Sequence, residues 1–346
     1  MWNVFQVFIL TTVKFAEDFS SPSWNDRWQQ GNWKGELSGT WDVNGTQLVT
    51  TTDSKFYTIA AGVTPFEVFE DHDTFILQYS VSMPANLSCA GAYIKLFPVL
   101  DDLNIRGGED ETKYSLMFGP DVCGTNRVHA IIPYNGTNVQ MTSPPNCGRD
   151  SVPHMYTFTL RRNTSYNIRI DGSVKNSGYL REAWPFLKPR RIPDPAMKKP
   201  NDWVDDQKIE DPDDVKPDGW DDIPPSITDP NATKPMDWND DEDGVWEAPV
   251  IENPEYKGKW VPRLIDNPDY KGAWVQPQIE NPDFVDDENI GRLGTIGAIG
   301  FDLWQVTSGT KFGNILLTTS EVTANSALES WKNGTNVVTT KEKDEL

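Results

Sequence analysis

NPEYKGKW at residues 253–260 recurs as NPDYKGAW at residues 267–274 and, shortened, as NPDF at residues 281–284. A different unit occurs earlier, as KPNDW at 199–203, KPDGW at 216–220 and KPMDW at 234–238. Each unit is too short and too polar to bury a core alone, but its proline favours an extended chain and its aromatic residue offers an apolar contact. If the chain turns back between the two sets, each early unit can face a later one. The repeats therefore predict a long hairpin arm.

The repeat region is also acidic, and it carries most of the chain's net charge of −21. Acidic, proline-rich sequence is also typical of a disordered linker. The regular spacing of Trp and Tyr favours the arm, because disordered acidic stretches are poor in aromatic residues. We therefore predict a proline-rich arm over residues 189–288. The charge argues against nucleic acid and anionic membrane surfaces as partners.

On both sides of the arm the sequence alternates as β-strands do. Apolar and polar residues follow a period of two in several short stretches, namely residues 91–97, 156–161, 166–170 and 293–306. Many short strands separated by turn residues are typical of a two-sheet sandwich. One clear helix is predicted over residues 321–332, capped by Ser320. We expect a mainly β protein whose sandwich is built from residues 13–188 and 289–332.

The two ends of the chain predict its compartment. Residues 1–12 are mostly apolar and resemble a signal peptide. A short tail over residues 333–346 ends in a retrieval address for the endoplasmic reticulum, made of Lys343, Asp344, Glu345 and Leu346. No other stretch reaches the roughly 18 apolar residues that a membrane helix needs. We expect a protein of the endoplasmic reticulum lumen without a membrane anchor. Three Cys in that oxidising lumen suggest one disulfide and one free thiol.

The stretch at residues 91–97 says most about function. A period of two places Tyr93, Lys95 and Phe97 on one face of a strand and apolar residues on the other. An aromatic ring beside an ammonium suits stacking on a sugar and donation to its hydroxyls. Judged on alternation alone, an ordinary half-exposed strand is the more common explanation.

Several motifs together resemble one family. The two repeats, KLFP at 95–98, MFGPDVCG at 117–124 and DLWQ at 302–305 are similar to the calreticulin/calnexin family. The resemblance runs from about residue 15 to residue 331. Three-plus-three repeats without a membrane helix look like the calreticulin branch, and the short end resembles a divergent member lacking the long acidic C-terminal tail. The resemblance implies a jelly-roll, legume-lectin-like β-sandwich with the arm inserted and a C-terminal helix.

The resemblance also implies a function and a site. It implies a lectin chaperone that binds monoglucosylated high-mannose N-glycans on folding glycoproteins, and we expect a monomer. The implied sugar ligands are Tyr93, Lys95, Tyr114, Asp121 and Asp302, with further apolar contacts from Met117, Ile131 and Trp304. Cys89 and Cys123 are implied to form the family's disulfide, which leaves Cys147 as a buried thiol.

Two further binding functions follow from the resemblance. The arm tip is implied to recruit a thiol-disulfide isomerase through Asp241, Asp243 and Trp246, although Val245 replaces an acidic residue of the family there. A calcium ion, Ca2+, is implied in the sandwich. Gly313 stands where the family has an aspartate ligand, so main-chain oxygens and Asp18 are the remaining candidates.

Two other classes of function compete with the lectin. A glycoside hydrolase commonly needs a pair of carboxylates, often spaced Glu-x-Asp on one strand, and no predicted strand carries that spacing. Since the nucleophile motif G-x-S-x-G is also missing from the sequence, we expect no enzyme. A luminal calcium-buffering protein with a vestigial lectin site stays open, because the acidic arm could bind calcium weakly. The few carboxylates of the tail argue against bulk calcium storage there.

Overall fold

A computed structural model describes residues 12–334 of the chain. It divides into two compact units. The first unit consists of the chain up to Lys188 together with the chain from Asp283 onward, and the second spans Pro189–Pro282. Within residues 12–334, no helix is long and apolar enough to cross a membrane. The signal-peptide prediction at residues 1–12 and the retrieval address of the tail lie outside the described residues, apart from residue 12.

Most of the described chain is β-structure. In chain order the strands are β1 (Val13–Glu17), β2 (Trp28–Gln30), β3 (Trp41–Asn44), β4 (Gln47–Thr50), β5 (Lys55–Glu67), β6 (Thr74–Ser82), β7 (Ile94–Phe97), β8 (Leu116–Asp121), β9 (Arg127–Tyr134), β10 (Thr137–Gln140), β11 (His154–Arg161), β12 (Ser165–Ile170), β13 (Ser173–Tyr179), β14 (Arg191–Pro193), β15 (Lys208–Glu210), β16 (Ser226–Thr228), β17 (Val250–Glu252), β18 (Leu264–Asp266), β19 (Gln278–Glu280), β20 (Thr295–Gln305) and β21 (Lys311–Thr318). The helices are α1 (Trp24–Arg27), α2 (Leu180–Ala183), α3 (Asp240–Asp243) and α4 (Glu321–Lys332), with 3-10 turns at Gly35–Leu37, Gly108–Asp110 and Trp220–Asp222.

The first unit is a sandwich of two antiparallel sheets. One sheet has seven strands in the order β10-β9-β8-β7-β20-β5-β2. The other has eight, in the order β13-β12-β11-β6-β21-β4-β3, with β1 paired to β21. Strands β20 and β21 follow the arm in sequence but lie inside the two sheets, so the sandwich is complete only with the chain beyond the arm. The predicted sandwich with an inserted arm and a C-terminal helix is confirmed, and Ser320 caps α4 by accepting from Thr323 N.

Aromatic rings hold the two sheets together. Phe301 on β20 contacts Trp28 of its own sheet, with ring centres 6.1 Å apart. Across the sandwich it contacts Phe312 on β21 at 4.5 Å and Trp41 on β3 at 5.6 Å. All four side chains are buried. Because burying an aromatic side chain removes a large apolar area from water, this cluster stabilises the sheets face to face.

The second unit is a ladder of short antiparallel strand pairs. Strand β14 pairs with β19, β15 with β18, and β16 with β17. Each pair joins a strand of the first half of the arm to one of the second half. The middle residues are isoleucines in every case, paired as Ile192 with Ile279, Ile209 with Ile265, and Ile227 with Ile251. These isoleucine pairs were not singled out by the sequence analysis.

The same kind of hydrogen bond joins an early repeat to a later repeat at two places in the arm. Trp203 Nε1 donates to Gly272 O and Trp220 Nε1 donates to Gly258 O, both at 2.9 Å. The two glycines have φ angles of 85° and 82°, which side chains disfavour. The tryptophan of the early repeat therefore needs the glycine of the later one. This contact makes the two kinds of repeat a matched pair.

The predicted arm and the second unit both begin at residue 189, but the predicted arm ends at residue 288 and the second unit ends at residue 282. Residues 283–288, which the sequence analysis assigns to the arm, lie in the first unit. There Asp287 accepts a hydrogen bond of 2.7 Å from the Tyr134 hydroxyl, and Arg181 pairs with Asp286 at 3.3 Å. The phenol thereby lowers the pKa of Asp287. These contacts attach the last residues of the predicted arm to sandwich residues.

Candidate carbohydrate-binding site

The register of the seven-stranded sheet gathers distant residues on one face. Lys95 on β7 lies opposite Gly300 on β20. On its other side Lys95 lies opposite Met117 on β8, which in turn lies opposite Ile131 on β9. The residues flanking Lys95 in sequence are buried between the two sheets. Because side chains alternate along a strand, the Lys95 row lies on the face away from that core.

The same register continues beyond the end of β7. Gly91 N donates to Trp304 O at 3.2 Å, and Gly91 forms a bridge with Asp121. Asp302 lies two residues before Trp304, so both share one face of β20. Tyr93, two residues after Gly91, lies on that face too. The sheet therefore places the predicted sugar-contact residues on one face, except Tyr114, which lies in the loop before β8.

A buried ion cluster lies at the centre of this face. The Lys95 side chain is 3% exposed, and its Nζ donates to Asp302 Oδ2 at 2.7 Å. The same ammonium pairs with Glu111 Oε1. Its Nζ also lies 5.0 Å from the centre of the Tyr114 ring. Removing an ammonium from water costs several kcal/mol unless counter-charges compensate it, and here two carboxylates do so.

Glu111 comes from the long loop between β7 and β8, which covers part of the face. The loop is anchored by Ile105, which is buried in an apolar cluster with Met117 and Tyr114. Close to Glu111, a Cβ added at Gly107 would overlap the Asp302 carboxylate. Only a glycine lets the backbone come this close. The loop and the Lys95 cluster therefore fix each other.

Asp121 is held by two neighbours of its own. Its Oδ1 accepts from Cys123 N at 2.9 Å, and its Oδ2 lies 3.0 Å from His129 Nε2. Cys123 is joined to Cys89 by a disulfide. The free thiol of Cys147 is buried, and burial raises its pKa to about 11. Asp121 is thereby fixed next to Tyr93, whose ring contacts His129 at 6.0 Å.

The two tyrosines of the site are hydrogen-bond donors at neutral pH. Burial raises the pKa of the Tyr93 phenol far above its ordinary value, and the carboxylates of Asp302, Asp121 and Glu111 raise it further. Burial raises the pKa of Tyr114 in the same way, with Glu111 as the next cause. Both phenols therefore keep their protons, and each can donate one hydrogen bond.

Part of this face lines an open cavity of about 320 Å3, and Asp121 is not among the lining residues. Its lining residues are Trp33, Phe56, Tyr93, Lys95, Gly108, Glu111, Met117, Asp302, Leu303 and Trp304. Of the other predicted contacts, Tyr114 and Ile131 are buried in the adjacent apolar cluster. The sequence analysis did not identify Trp33, Phe56 or Glu111. Phe56 was detectable in principle as the strand partner of Trp304, but only once the pairing of β5 with β20 is known.

Asp18, the side chain expected to bind calcium, directly follows the end of β1. Strand β1 pairs with β21 so that Glu17 lies opposite Ile315, two residues after Gly313. Asp18 Oδ1 accepts from Ser20 N at 3.0 Å, and within residues 12–334 its buried Oδ2 has no hydrogen-bond partner. A Cβ added at Gly313 would lie 3.3 Å from Thr46 O. One carboxylate oxygen and nearby carbonyls fall short of the six to eight oxygens that calcium prefers, so these residues do not form a complete site.

The arm tip is a short acidic helix. Helix α3 begins after Asn239, whose side chain accepts from Asp241 N at 3.1 Å. Asp243 Oδ2 in turn accepts from Asn239 N at 3.0 Å. Asp241 and Asp243 are exposed and Trp246 is half-buried. The three predicted partner-binding residues thus lie at the reversal between β16 and β17.

The fold and this cavity define a class of protein. Two antiparallel sheets, with a polar cavity and aromatic walls on one of them, make the first unit a legume-lectin-like β-sandwich. The sequence model of the Calreticulin family matches residues 15–245 and 242–317. The chain therefore belongs to the calreticulin family, and the predicted resemblance is confirmed.

Individual relatives agree with this assignment. The chain is 44% identical over 322 residues to the calreticulin of Euglena gracilis, which covers 90% of this chain and 79% of the relative. It is 44% identical over 328 residues to the calreticulin of Entamoeba histolytica, covering 92% and 84%. Among solved structures, the T. cruzi calreticulin globular domain is similar in fold. Its TM-score is 0.62 at 24% identity, and the match covers 93% of this chain and 94% of that one.

The buried ion cluster leads to a stability prediction. Replacing Lys95 by Met leaves Asp302 and Glu111 without their cation, so the free energy of unfolding at neutral pH is expected to fall by about 3–5 kcal/mol. The double variant Lys95→Met with Asp302→Asn removes one carboxylate charge as well and is expected to recover much of that loss. Chemical denaturation followed by tryptophan fluorescence measures both. Equal stabilities of the Lys95→Met variant and the wild type would contradict the structural role of the cluster.

Proposed function

We propose that the chain is a lectin chaperone that binds monoglucosylated high-mannose N-glycans on folding glycoproteins. The observation that carries the proposal is the cavity in which the Lys95–Asp302 pair, Tyr93 and Trp304 meet. A sugar offers hydroxyls that both donate and accept, and a C–H face that contacts aromatic rings. The cavity supplies acceptors, donors and rings at one place, as carbohydrate binding requires.

Each group has a role in the proposal. Asp302 uses one oxygen for Lys95 and keeps acceptor capacity on its carboxylate for sugar hydroxyls. Lys95 and the Tyr93 hydroxyl are donors, and Met117 and Trp304 contact the sugar ring. Asp121, held by His129 and by Cys123 N, is a second acceptor at the edge of the same face. Tyr114 supports Lys95 from the loop side.

The charges of the site favour a neutral ligand. Two carboxylates, those of Asp302 and Glu111, pair with the ammonium of Lys95, and a third, that of Asp121, lies further along the same face. An anionic sugar would add a further negative charge to this group, whereas a neutral hydroxyl-rich sugar does not. We propose that the site binds a sugar without catalysing its hydrolysis. Asp302 and Glu111 both form ion pairs with Lys95, so they are not held apart as the acid and the base of a glycoside hydrolase.

The proposed compartment is the lumen of the endoplasmic reticulum, with glycoproteins in the course of folding as clients. It is supported by the retrieval address Lys343–Leu346 and by the signal-like residues 1–12. The disulfide between Cys89 and Cys123 is compatible with that oxidising compartment. The proposal treats the chain as a monomer.

Asp302→Asn tests the glycan site. The substitution keeps the shape of the side chain but removes the negative charge, and charge-assisted hydrogen bonds contribute about 1.5–3 kcal/mol. The affinity for a monoglucosylated high-mannose glycan is therefore expected to fall roughly 10- to 100-fold in isothermal titration calorimetry. Asp73→Asn is the matched control, since Asp73 pairs with Arg162 and precedes a strand of the other sheet. Unchanged glycan affinity in a folded Asp302→Asn variant would refute the site.

We further propose that calcium binds weakly and in small number. The carboxylates of the arm attract the ion, but several are already paired with cations, as the exposed Asp205 is with Lys199 and the buried Asp211 is with Arg263. Both pairings lower the pKa of the aspartate. Within residues 12–334 no group of three or more His, Cys, Asp or Glu could hold a metal. Asp18, with its unpartnered buried oxygen, is the candidate side chain in the sandwich.

Equilibrium dialysis at millimolar calcium tests this second proposal. We expect a few ions per chain, and one fewer for the Asp18→Asn variant. Tens of ions per chain would favour the alternative function, a luminal calcium buffer with a vestigial lectin site. Glycan binding measured with and without a chelator separates the two functions, because a buffer alone would show none.

For the arm, we propose that its tip recruits a thiol-disulfide isomerase through Asp241, Asp243 and Trp246. The support is an acidic turn with exposed carboxylates beside a half-buried indole.

Trp246→Ala is expected to weaken isomerase binding at least tenfold, as loss of an aromatic anchor does. Trp274→Ala is the matched control, because Trp274 is also half-buried but lies away from the tip, and it is expected to leave the binding unchanged. Because Val245 is 83% exposed, Val245→Glu is expected to strengthen binding to a basic partner surface. Titration calorimetry with a luminal isomerase decides, and equal affinities of the Trp246→Ala and Trp274→Ala variants would contradict the proposal.

A further inference from the structure

His154, the first residue of β11, lies between two carboxylates. Its Nδ1 is 2.6 Å from Asp171 Oδ2, and its Nε2 is 2.8 Å from Asp150 Oδ1. An ionised carboxylate only accepts hydrogen bonds, so each ring nitrogen needs a proton to make its contact. Imidazole has two N–H groups only as the charged imidazolium. The two contacts of His154 therefore specify its protonated form.

The pKa of His154 agrees with this geometry. Burial lowers the pKa, but the hydrogen bonds to Asp171 and Asp150 outweigh burial and raise it. The hydrogen bond to His154 in turn lowers the pKa of Asp150. Because the folded state holds the proton more tightly than the unfolded state, the stability that the contacts contribute is complete below the ordinary pKa of about 6.5. It is lost as the pH rises through the raised pKa.

The two carboxylates differ in how firmly they are held. Asp171 lies in the turn between β12 and β13, where its Oδ1 accepts from Met155 N at 2.8 Å and its own N donates to Met155 O at 2.9 Å. Asp150 lies on the segment of residues 148–152, which contains no helix or strand. Asp171 is therefore fixed to β11, and segment 148–152 is the side that can move.

Segment 148–152 begins directly after the free thiol of Cys147, which is buried. The segment is held by the pair of Asp150 with the imidazole and by a hydrogen bond of 3.2 Å that Ser151 O accepts from Ser82 Oγ. A hydrogen bond to a charged group contributes more than one between neutral groups. Losing the Asp150 contact therefore removes the stronger of these two attachments next to the thiol.

The other ionisable side chains near the imidazole do not take over the role of the aspartates. Tyr156 on β11 keeps its proton, because burial raises its pKa far above the ordinary value. The charged side chains on neighbouring elements are cations, namely Arg149 of the segment, Lys311 of β21 and Lys332 of α4. A cation cannot accept a hydrogen bond from the imidazole, so the charged ring is stabilised by Asp150 and Asp171.

We propose that His154 is a pH-dependent latch for segment 148–152. While the imidazole is protonated, it joins Asp150 of the segment to Asp171 of the sheet. The neutral ring has a single N–H, so one of the two hydrogen bonds is lost as the pH rises, and the segment is released. Release exposes the thiol of Cys147 at the start of the segment. The latch does not depend on the proposed lectin function.

The reactivity of Cys147 on the full chain tests the latch. The rate at which iodoacetamide alkylates this thiol is measured by mass spectrometry between pH 6 and pH 9. His154→Gln cannot take up a proton, so it is expected to react about tenfold faster than the wild type at pH 6, the effect of losing one charge-assisted hydrogen bond. At pH 9 the two rates converge, because the wild-type latch is then open as well. The thiolate fraction affects both rates alike and cancels from their ratio.

His72→Gln is the matched control, because His72 is also half-buried and precedes β6 of the same sheet, and its rate should equal that of the wild type at every pH. Asp150→Asn keeps the imidazole and is expected to repeat the acceleration at pH 6, so the test does not depend on the folding of one variant. NMR titration of the wild type should give His154 a midpoint above about 6.5. A rate ratio that does not change with pH overturns the latch, since His154 would then be only structural. A midpoint at or below that value overturns it too.

Discussion

The burial of the Lys95 ammonium is the constraint on which the site depends. An ammonium that is 3% exposed is stable only if counter-charges reach it, and they come from two separate places. Asp302 arrives on β20, after the whole arm, and Glu111 arrives on the loop between β7 and β8. The seven-stranded sheet, the loop between β7 and β8 and the cavity therefore form together, because all three depend on the ion pairs of Lys95. The same pairing holds Asp302 in the position from which it can accept from a ligand.

The sequence predicts the parts of this architecture that follow a local period. Alternation identified the face that carries Tyr93 and Lys95, and the repeats identified the arm. Resemblance to a known family was needed to connect Lys95 with Asp302, because no local pattern specifies which strands pair over such a distance. Glu111 and Trp33 escaped prediction because loop residues follow no period. Their positions depend on glycine contacts and aromatic contacts that exist only once β5, β7 and β20 lie side by side.

The arm follows a different physical rule from the sandwich. Each of its strand pairs is only three residues long, and the middle pair of residues is isoleucine with isoleucine. The tryptophan of an early repeat reaches a glycine carbonyl of a later repeat, so each contact stays within one part of the ladder. Stability in such a ladder is close to a sum of neighbouring units, whereas the sandwich shares a single core. The repeats can therefore vary in their exposed positions as long as the Trp–Gly match is kept.

The insertion of the arm between β13 and β20 dictates the order in which this protein can fold during its own synthesis. Because β20 pairs with β5, bringing Asp302 beside Thr58, neither sheet can be completed until the ribosome has made the last part of the chain. The arm, whose three strand pairs lie within Pro189–Pro282, can form before that. Until β20 and β21 emerge, β5, β6 and β7 have unpaired edges, and such edges are prone to aggregation. A chain proposed to protect unfinished glycoproteins thus passes through an unfinished state of its own.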